Sequence, residues 1–209
     1  MGRPGPYRPF SPTDFFRWKK YYPYGAGIVS NLLTHRILPL MLATGAPEFP
    51  ERVASLGTKH ITPDRDIPDN TQLIAQFPSG LSILVIGSTV NEVGLAQVIR
   101  GHEGTLYFGG NSVELRPERP FADLVDPETH ENVEPTVSVK NHIADWLSAI
   151  RTGGVPTGNI DLAIKAHTVV CLAEMSVRLG ETLHFDARTR SVTAGSGRPI
   201  KPITHGTLG

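Results

Sequence analysis

Along this chain the spacing of apolar positions is irregular at first, then helical, then alternating, then helical again. Residues 1–12 hold four prolines and two glycines, a composition that propagates neither a helix nor a central strand. Residues 1–24 are therefore expected to form an extended arm, its second part the aromatic-basic stretch Phe15-Phe16-Arg17-Trp18-Lys19-Lys20-Tyr21-Tyr22. After Gly25-Ala26-Gly27, apolar residues at Ile28, Leu32 and Leu33 open a predicted helix over 28–43. It ends near Gly45 and Pro47, and Pro39 should kink it or stop it early.

From about residue 50 to residue 117 the period becomes that of strands. Predicted strands are Arg52–Lys59, Gln72–Phe77, Ser82–Thr89, Ala96–Gly101, Thr105–Phe108 and Ser112–Arg116, rich in Val, Ile and Leu. Turn signals at Pro78-Ser79-Gly80, Glu103-Gly104 and Gly109-Gly110-Asn111 separate them. Connections this short favour antiparallel neighbours, because a parallel crossover needs about a dozen residues or more.

Helical spacing then returns. Ile143, Trp146, Leu147 and Ile150 fall at i, i+3, i+4 and i+7, the pattern of one buried stripe. A second helix follows, with Asn159 as N-cap, Asp161 complementing its dipole and Gly180 just past its end. Strands near Glu181–Phe185 and Ser191–Val192 return to the sheet. The expected architecture is α+β, an open, mostly antiparallel sheet with helices packed on one face. It divides into an arm (1–24), an α+β domain (25–195) and a flexible tail (196–209).

Composition narrows the function classes. With 39% hydrophobic residues, 19% charged and zero formal charge, the chain has a soluble globular composition, with the cytoplasm as default location. The neutral balance argues against nucleic acid or an anionic membrane as partner. The cluster Arg17, Lys19, Lys20 is too small to change that and also reads as a solvated basic face. Cys171 is the one cysteine, so no intramolecular disulfide or multi-cysteine metal site forms. Its apolar neighbours suggest a buried, inert thiol. No apolar run reaches the roughly 18 residues of a membrane span.

Gly25-Ala26-Gly27-Ile28-Val29-Ser30 comes close to a glycine-rich dinucleotide fingerprint, but that fingerprint works only after a buried parallel strand. Here Arg17-Trp18-Lys19-Lys20-Tyr21-Tyr22-Pro23-Tyr24 precedes it, too charged for a central strand and broken by proline. The glycines instead let the backbone turn sharply into a helix and approach a neighbouring segment or ligand closely. Asn31 and His35, four apart, share a helix face. A histidine there can take a proton from an alcohol near neutral pH, and the amide can orient a hydroxyl. A lone helical histidine is more often structural, so His35 and Asn31 stand here as candidate catalytic residues beside that reading; Gly27, Arg17 and Lys19 are the candidate substrate contacts. No His-x-x-x-His pair or His/Asp cluster supplies a first metal shell, and no nucleophile elbow supports acyl transfer.

The run from Gly25 to His35 resembles the motif that opens the second domain of the glucose–fructose oxidoreductase / inositol dehydrogenase (Gfo/Idh/MocA) family, where glycines precede a helix bearing an aspartate and, four residues on, a histidine. Phe16-Arg17-Trp18-Lys19-Lys20-Tyr21-Tyr22 resembles the aromatic-basic lead-in of one branch. The run from Asn141 to Gly153, with the long helix ending Arg178-Leu179-Gly180, resembles the family's carboxy-terminal part. The resemblance implies a two-domain enzyme. A Rossmann domain binds NAD or NADP and carries a Glu-Lys-Pro motif; a second domain walls the substrate pocket with an open sheet and usually packs on another subunit. Hydride then passes between a sugar or polyol carbon and the nicotinamide while the histidine, matched by His35, handles the hydroxyl proton.

Two departures follow. The family's aspartate is Asn31 here, and an amide cannot take a proton. This chain has no Rossmann domain and no Glu-Lys-Pro motif. The expected picture is the substrate-binding half of an NAD(P)-dependent oxidoreductase acting on CH–OH of a sugar or polyol. It is expected to hold no cofactor itself and to be inactive alone. Its Rossmann partner would be another chain or a missing upstream segment. The sheet would be incomplete at its amino-terminal edge, and a homo-oligomer would form through the sheet. The alternative is a non-catalytic carbohydrate-binding or oligomerisation module.

Overall fold

The computed structural model describes residues 9–133 and 138–201. The chain forms two compact units, one from residues up to Glu92 together with those from Asn159, the other from Val93 to Gly158.

In the first unit the segment expected to be extended over 1–24 is helical from Pro12 to Lys20 and a turn from there to Tyr24. Helix α1 (Pro12–Arg17) runs into a 3₁₀ turn, Trp18–Lys20. The cause is local: Ser11 accepts the N–H of Asp14 at 3.2 Å, and Pro12 occupies the first helical position, where its missing N–H costs nothing. The predicted helix over 28–43 forms as a π-helical segment, Val29–Leu33, continuing into α2 (Thr34–Ala43). Pro39 lies inside α2 without ending it.

Six strands build the sheet of this unit: β1 (Arg52–Thr58), β2 (Asn70–Gln76) and β3 (Ser82–Ser88) from the first part of the chain, β8 (Leu183–Asp186), β9 (Ser191–Ala194) and β10 (Pro199–Ile200) from the last. Their order is β10-β9-β8-β1-β2-β3, every pair antiparallel. β10 falls within the stretch expected to be a tail. Register explains the core: Val53 lies opposite both Ala75 and Leu183, and Leu73 opposite Val85, so alternation brings these side chains to one face. On that face pack Val29, Leu33, Ile37 and Met41 of the first helical stretch, and Val169, Leu172 and Ala173 of α4 (Ile160–Leu179). Helices thus cover one face of the sheet, as predicted.

The opposite face of the same strands carries two cross-strand rows, Ala54–Ile74–Leu84 and Leu56–Gln72–Ile86. Leu56 is 71% and Leu84 65% exposed. A polar row, His184–Arg52–Gln76–Ser82, lies at one end.

The second unit holds β4 (Gln97–Arg100), β5 (Gly104–Gly109), β6 (Ser112–Pro117) and β7 (Glu128–His130) as an antiparallel sheet in that order, with α3 (Val139–Thr152). His130 lies in β7. In α3 the stripe expected to be buried stands in water: none of its residues is buried, and Ile143, Trp146 and Ile150 are exposed. Periodicity reports an apolar face; it does not report whether anything packs on it. Cys171, expected buried, is exposed on α4; crowding by its neighbours, with Glu174 nearby, still pushes its thiol up from the ordinary value.

Candidate functional site

The helix that carries Asn31 and His35 is located by two glycines. Gly27 has φ +62°, and a side chain there would lie 2.1 Å from Cγ2 of Ile67, so the turn closes on that buried residue. Gly87, on the inner face of β3, leaves the space that Ile28 and Leu33 fill: an added Cβ would lie 2.6 Å and 2.9 Å from them. The amino-terminal part of the helix therefore sits directly on the edge strand β3. A sheet edge of this kind exposes unpaired backbone groups unless something covers it.

Within the helix, Asn31 falls in the π-helical segment and His35 on the α-helical turn after it. π-turns insert one residue and displace the side chains that follow. Asn31 is half-buried, and its Nδ2 is fully buried without a hydrogen-bond partner among the described residues. His35 is exposed. The Thr34 hydroxyl donates to the Ser30 carbonyl at 2.9 Å, which fixes the turn between them. Pro39 brings no N–H to the carbonyl of His35, so the backbone there lacks its usual α-helical donor.

The sequence-predicted residues divide into two groups. Gly27, Asn31 and His35 lie on one turn-helix unit, but Gly27 is buried against Ile67. Arg17 and Lys19 are exposed on the preceding arm, with the Lys19 ammonium 5.4 Å from the Trp18 ring. The arm meets the turn through Trp18, whose ring lies 3.3 Å from where a Gly25 side chain would start.

Sequence reasoning missed the groups that seat this arm. Tyr22 stacks on the Arg178 guanidinium at 4.7 Å, and Arg178 pairs with Glu174 at 3.3 Å, both side chains nearly buried. Burial raises the Tyr22 pKa, while Arg178 opposes the shift and Glu174 adds to it. With Ala26, Val29, Ile67, Pro68, Thr71 and Val177, Tyr22 and Glu174 line a cleft of no more than water size. The only sequence signal was the i, i+4 spacing of Glu174 and Arg178. Asp69 was missed as well. It is wholly buried and accepts four hydrogen bonds at one oxygen.

Every strand pairing is antiparallel, so the described residues build no parallel strand–helix–strand crevice for a dinucleotide. Among the described residues no three His, Cys, Asp or Glu side chains group as metal ligands. Nor is any described helix long and apolar enough to cross a membrane.

No family model and no curated protein matches the chain. Solved structures do. The chain is similar to an oxidoreductase from Agrobacterium radiobacter in complex with NAD+, L-tartaric acid and magnesium (TM-score 0.63, 15% identity, 84% of this chain on 53% of that one). It is similar to an aldose-aldose oxidoreductase from Caulobacter crescentus complexed with glycerol (TM-score 0.62, 17% identity, 77% on 48%). A third likeness is to a UDP-N-acetylglucosamine 3-dehydrogenase from Acidithiobacillus ferrooxidans (TM-score 0.61, 16% identity, 81% on 50%). At these identities the likeness establishes the fold, and the chain spans about half the length of each structure.

Proposed function

We propose that this chain, whose fold is that of one half of the Gfo/Idh/MocA-type oxidoreductases, is the substrate-side half of an NAD(P)-dependent enzyme acting on the CH–OH group of a sugar or polyol. The observation that carries the reading is the exposed His35 on a helix held rigidly against β3, in a fold that covers only the half of its neighbours that this chain spans. The dinucleotide belongs to the other half, on a partner chain or a further segment, because the antiparallel strands described here offer it no crevice.

This chain's own contribution is to bind and to move a proton. His35 accepts the hydroxyl proton at a ring nitrogen, and the half-buried Asn31 amide beside it orients a hydroxyl. Arg17 and Lys19 offer cationic hydrogen-bond donors from the arm. The neighbours solved with tartaric acid and glycerol support small, hydroxyl-rich substrates.

With the cofactor-bearing half present, His35→Ala should lower kcat by about 10²–10⁴-fold, the usual contribution of a positioned base. Full retained turnover removes His35 from the role. The isolated chain should bind neither NAD+ nor NADP+ in calorimetry, and tight binding of either overturns the half-enzyme reading. A second reading, a non-catalytic carbohydrate-binding or oligomerisation module, is favoured by one observation: Asn31 cannot take or give up charge. Sugar binding by this chain with unaltered turnover on His35→Ala would select it.

A further inference from the structure

Arg17 and Lys19 serve a ligand only if the arm carrying them is fixed, yet α1 and the 3₁₀ turn contain no buried residue. Ahead of Tyr22, which stacks on Arg178, the arm is held by the connection 59–69 between β1 and β2. The Lys20 carbonyl accepts the N–H of Asp66 at 3.0 Å and of Ile67 at 3.4 Å. The Lys20 ammonium pairs with Asp64, and Gly27 closes on Ile67.

A connection of this length between antiparallel neighbours has no ladder of its own to order its backbone. The structure supplies a substitute at its end. Oδ2 of Asp69 accepts the N–H groups of His60, Ile61 and Thr62 at 3.1, 2.9 and 3.1 Å and the Thr62 hydroxyl at 3.0 Å, while Oδ1 accepts from Asn70 Nδ2 at 3.2 Å. Asp69 is itself anchored to the sheet ends: its N–H donates to the Thr58 carbonyl, and its carbonyl accepts from Thr89 N–H, both at 2.9 Å. One buried carboxylate thus gathers the outgoing strand of the loop and ties it to the sheet.

We infer that Asp69 is a positioning residue for Arg17 and Lys19: it clamps the 59–69 loop, and the loop clamps the arm. The bearing on ligand contact rests on the function proposed above; the clamp itself does not. Trp18, packed beside Gly25, reports on the arm, and Trp146 is the only other tryptophan.

In a Trp146→Phe background, Asp69→Asn keeps the size of the side chain but turns an acceptor oxygen into a donor group. Trp18 emission should shift to the red, and acrylamide should quench it more strongly. Trypsin nicking after Lys19 and Lys20 should quicken by about tenfold or more, because nicking tracks the open population. Far-ultraviolet circular dichroism should stay native. A destabilised core with Trp18 emission and nicking unchanged overturns the clamp. Should Asp69→Asn fail to fold, Asp64→Asn, which cuts the ion pair to Lys20, and Thr62→Val, which removes one donor, take its place. Unchanged Trp18 readouts in both overturn it equally. None of these readouts involves a sugar or polyol, so silence of the chain toward such ligands defeats the functional reading and leaves the clamp standing.

Discussion

Burial by itself would raise the pKa of Asp69, but three backbone N–H groups and a hydroxyl more than reverse the effect and hold the carboxyl below the ordinary carboxylate range. A group whose pKa is lowered in the folded state stabilises fully above its unfolded value, about 3.9, and loses that contribution as pH falls below it. Asp69→Asn should therefore cost on the order of 1–3 kcal/mol at pH 7, where charged-acceptor bonds are lost and donors left unpaired. The difference from the parent should shrink as pH drops below about 4, which urea midpoints at a series of pH values would show. At this scale the sequence was partly legible. Asn31 and His35 stood out because glycines and a fixed spacing mark the start of their helix. Asp69 did not, because its partners are main-chain groups in a loop whose path no residue type spells out. Tyr22 was invisible for a similar reason: its partner Arg178 lies far along the chain.

Between elements, a polar seam joins α4 to β1. β8 pairs with β1 only at Arg52 and Val53, and beyond that point a helix side chain takes over the strand edge. The Ser55 N–H donates to Ser176 Oγ at 2.8 Å, and the Ser176 hydroxyl donates to the Glu181 carbonyl at 2.7 Å. Ser176→Ala leaves both groups unpaired in a buried place and should cost about 1–3 kcal/mol in denaturant unfolding; a loss below a few tenths would mean that water replaces the hydroxyl. The long helices and the long strands were readable because propensity, period and caps agreed: Asn159 accepts from Leu162 N–H at 3.0 Å, and Gly180 ends α4 with φ +68°, both as predicted. The short strands β7 and β10 escaped, since three residues or two carry no period. The apolar stripe of α3 was read correctly as a stripe and wrongly as buried.

For the whole molecule, the homo-oligomer expected to form through the sheet would use the outer face of the six-stranded sheet, with its Ala54–Ile74–Leu84 and Leu56–Gln72–Ile86 rows. Contiguous exposed apolar side chains of this kind mark association surfaces. Leu84→Lys puts a charge on that face, in the edge strand β3, without touching the core. It should lower the sedimenting mass while leaving circular dichroism unchanged; a parent that sediments as a monomer removes the sheet from this role. That the strands would divide between two sheets was not legible, because alternation assigns faces, not partners. The division also bears on how the protein is made. Val53 pairs with Leu183, and the core side chains of β1 to β3 are closed over by α4. During synthesis the first three strands therefore wait, their apolar faces covered only by the first helical stretch, until residues 160–186 leave the ribosome. The 93–158 unit between them carries only near-neighbour pairings and can fold as soon as it emerges. The first unit, whose contacts span most of the chain, closes last and passes through the aggregation-exposed stage that such topologies impose.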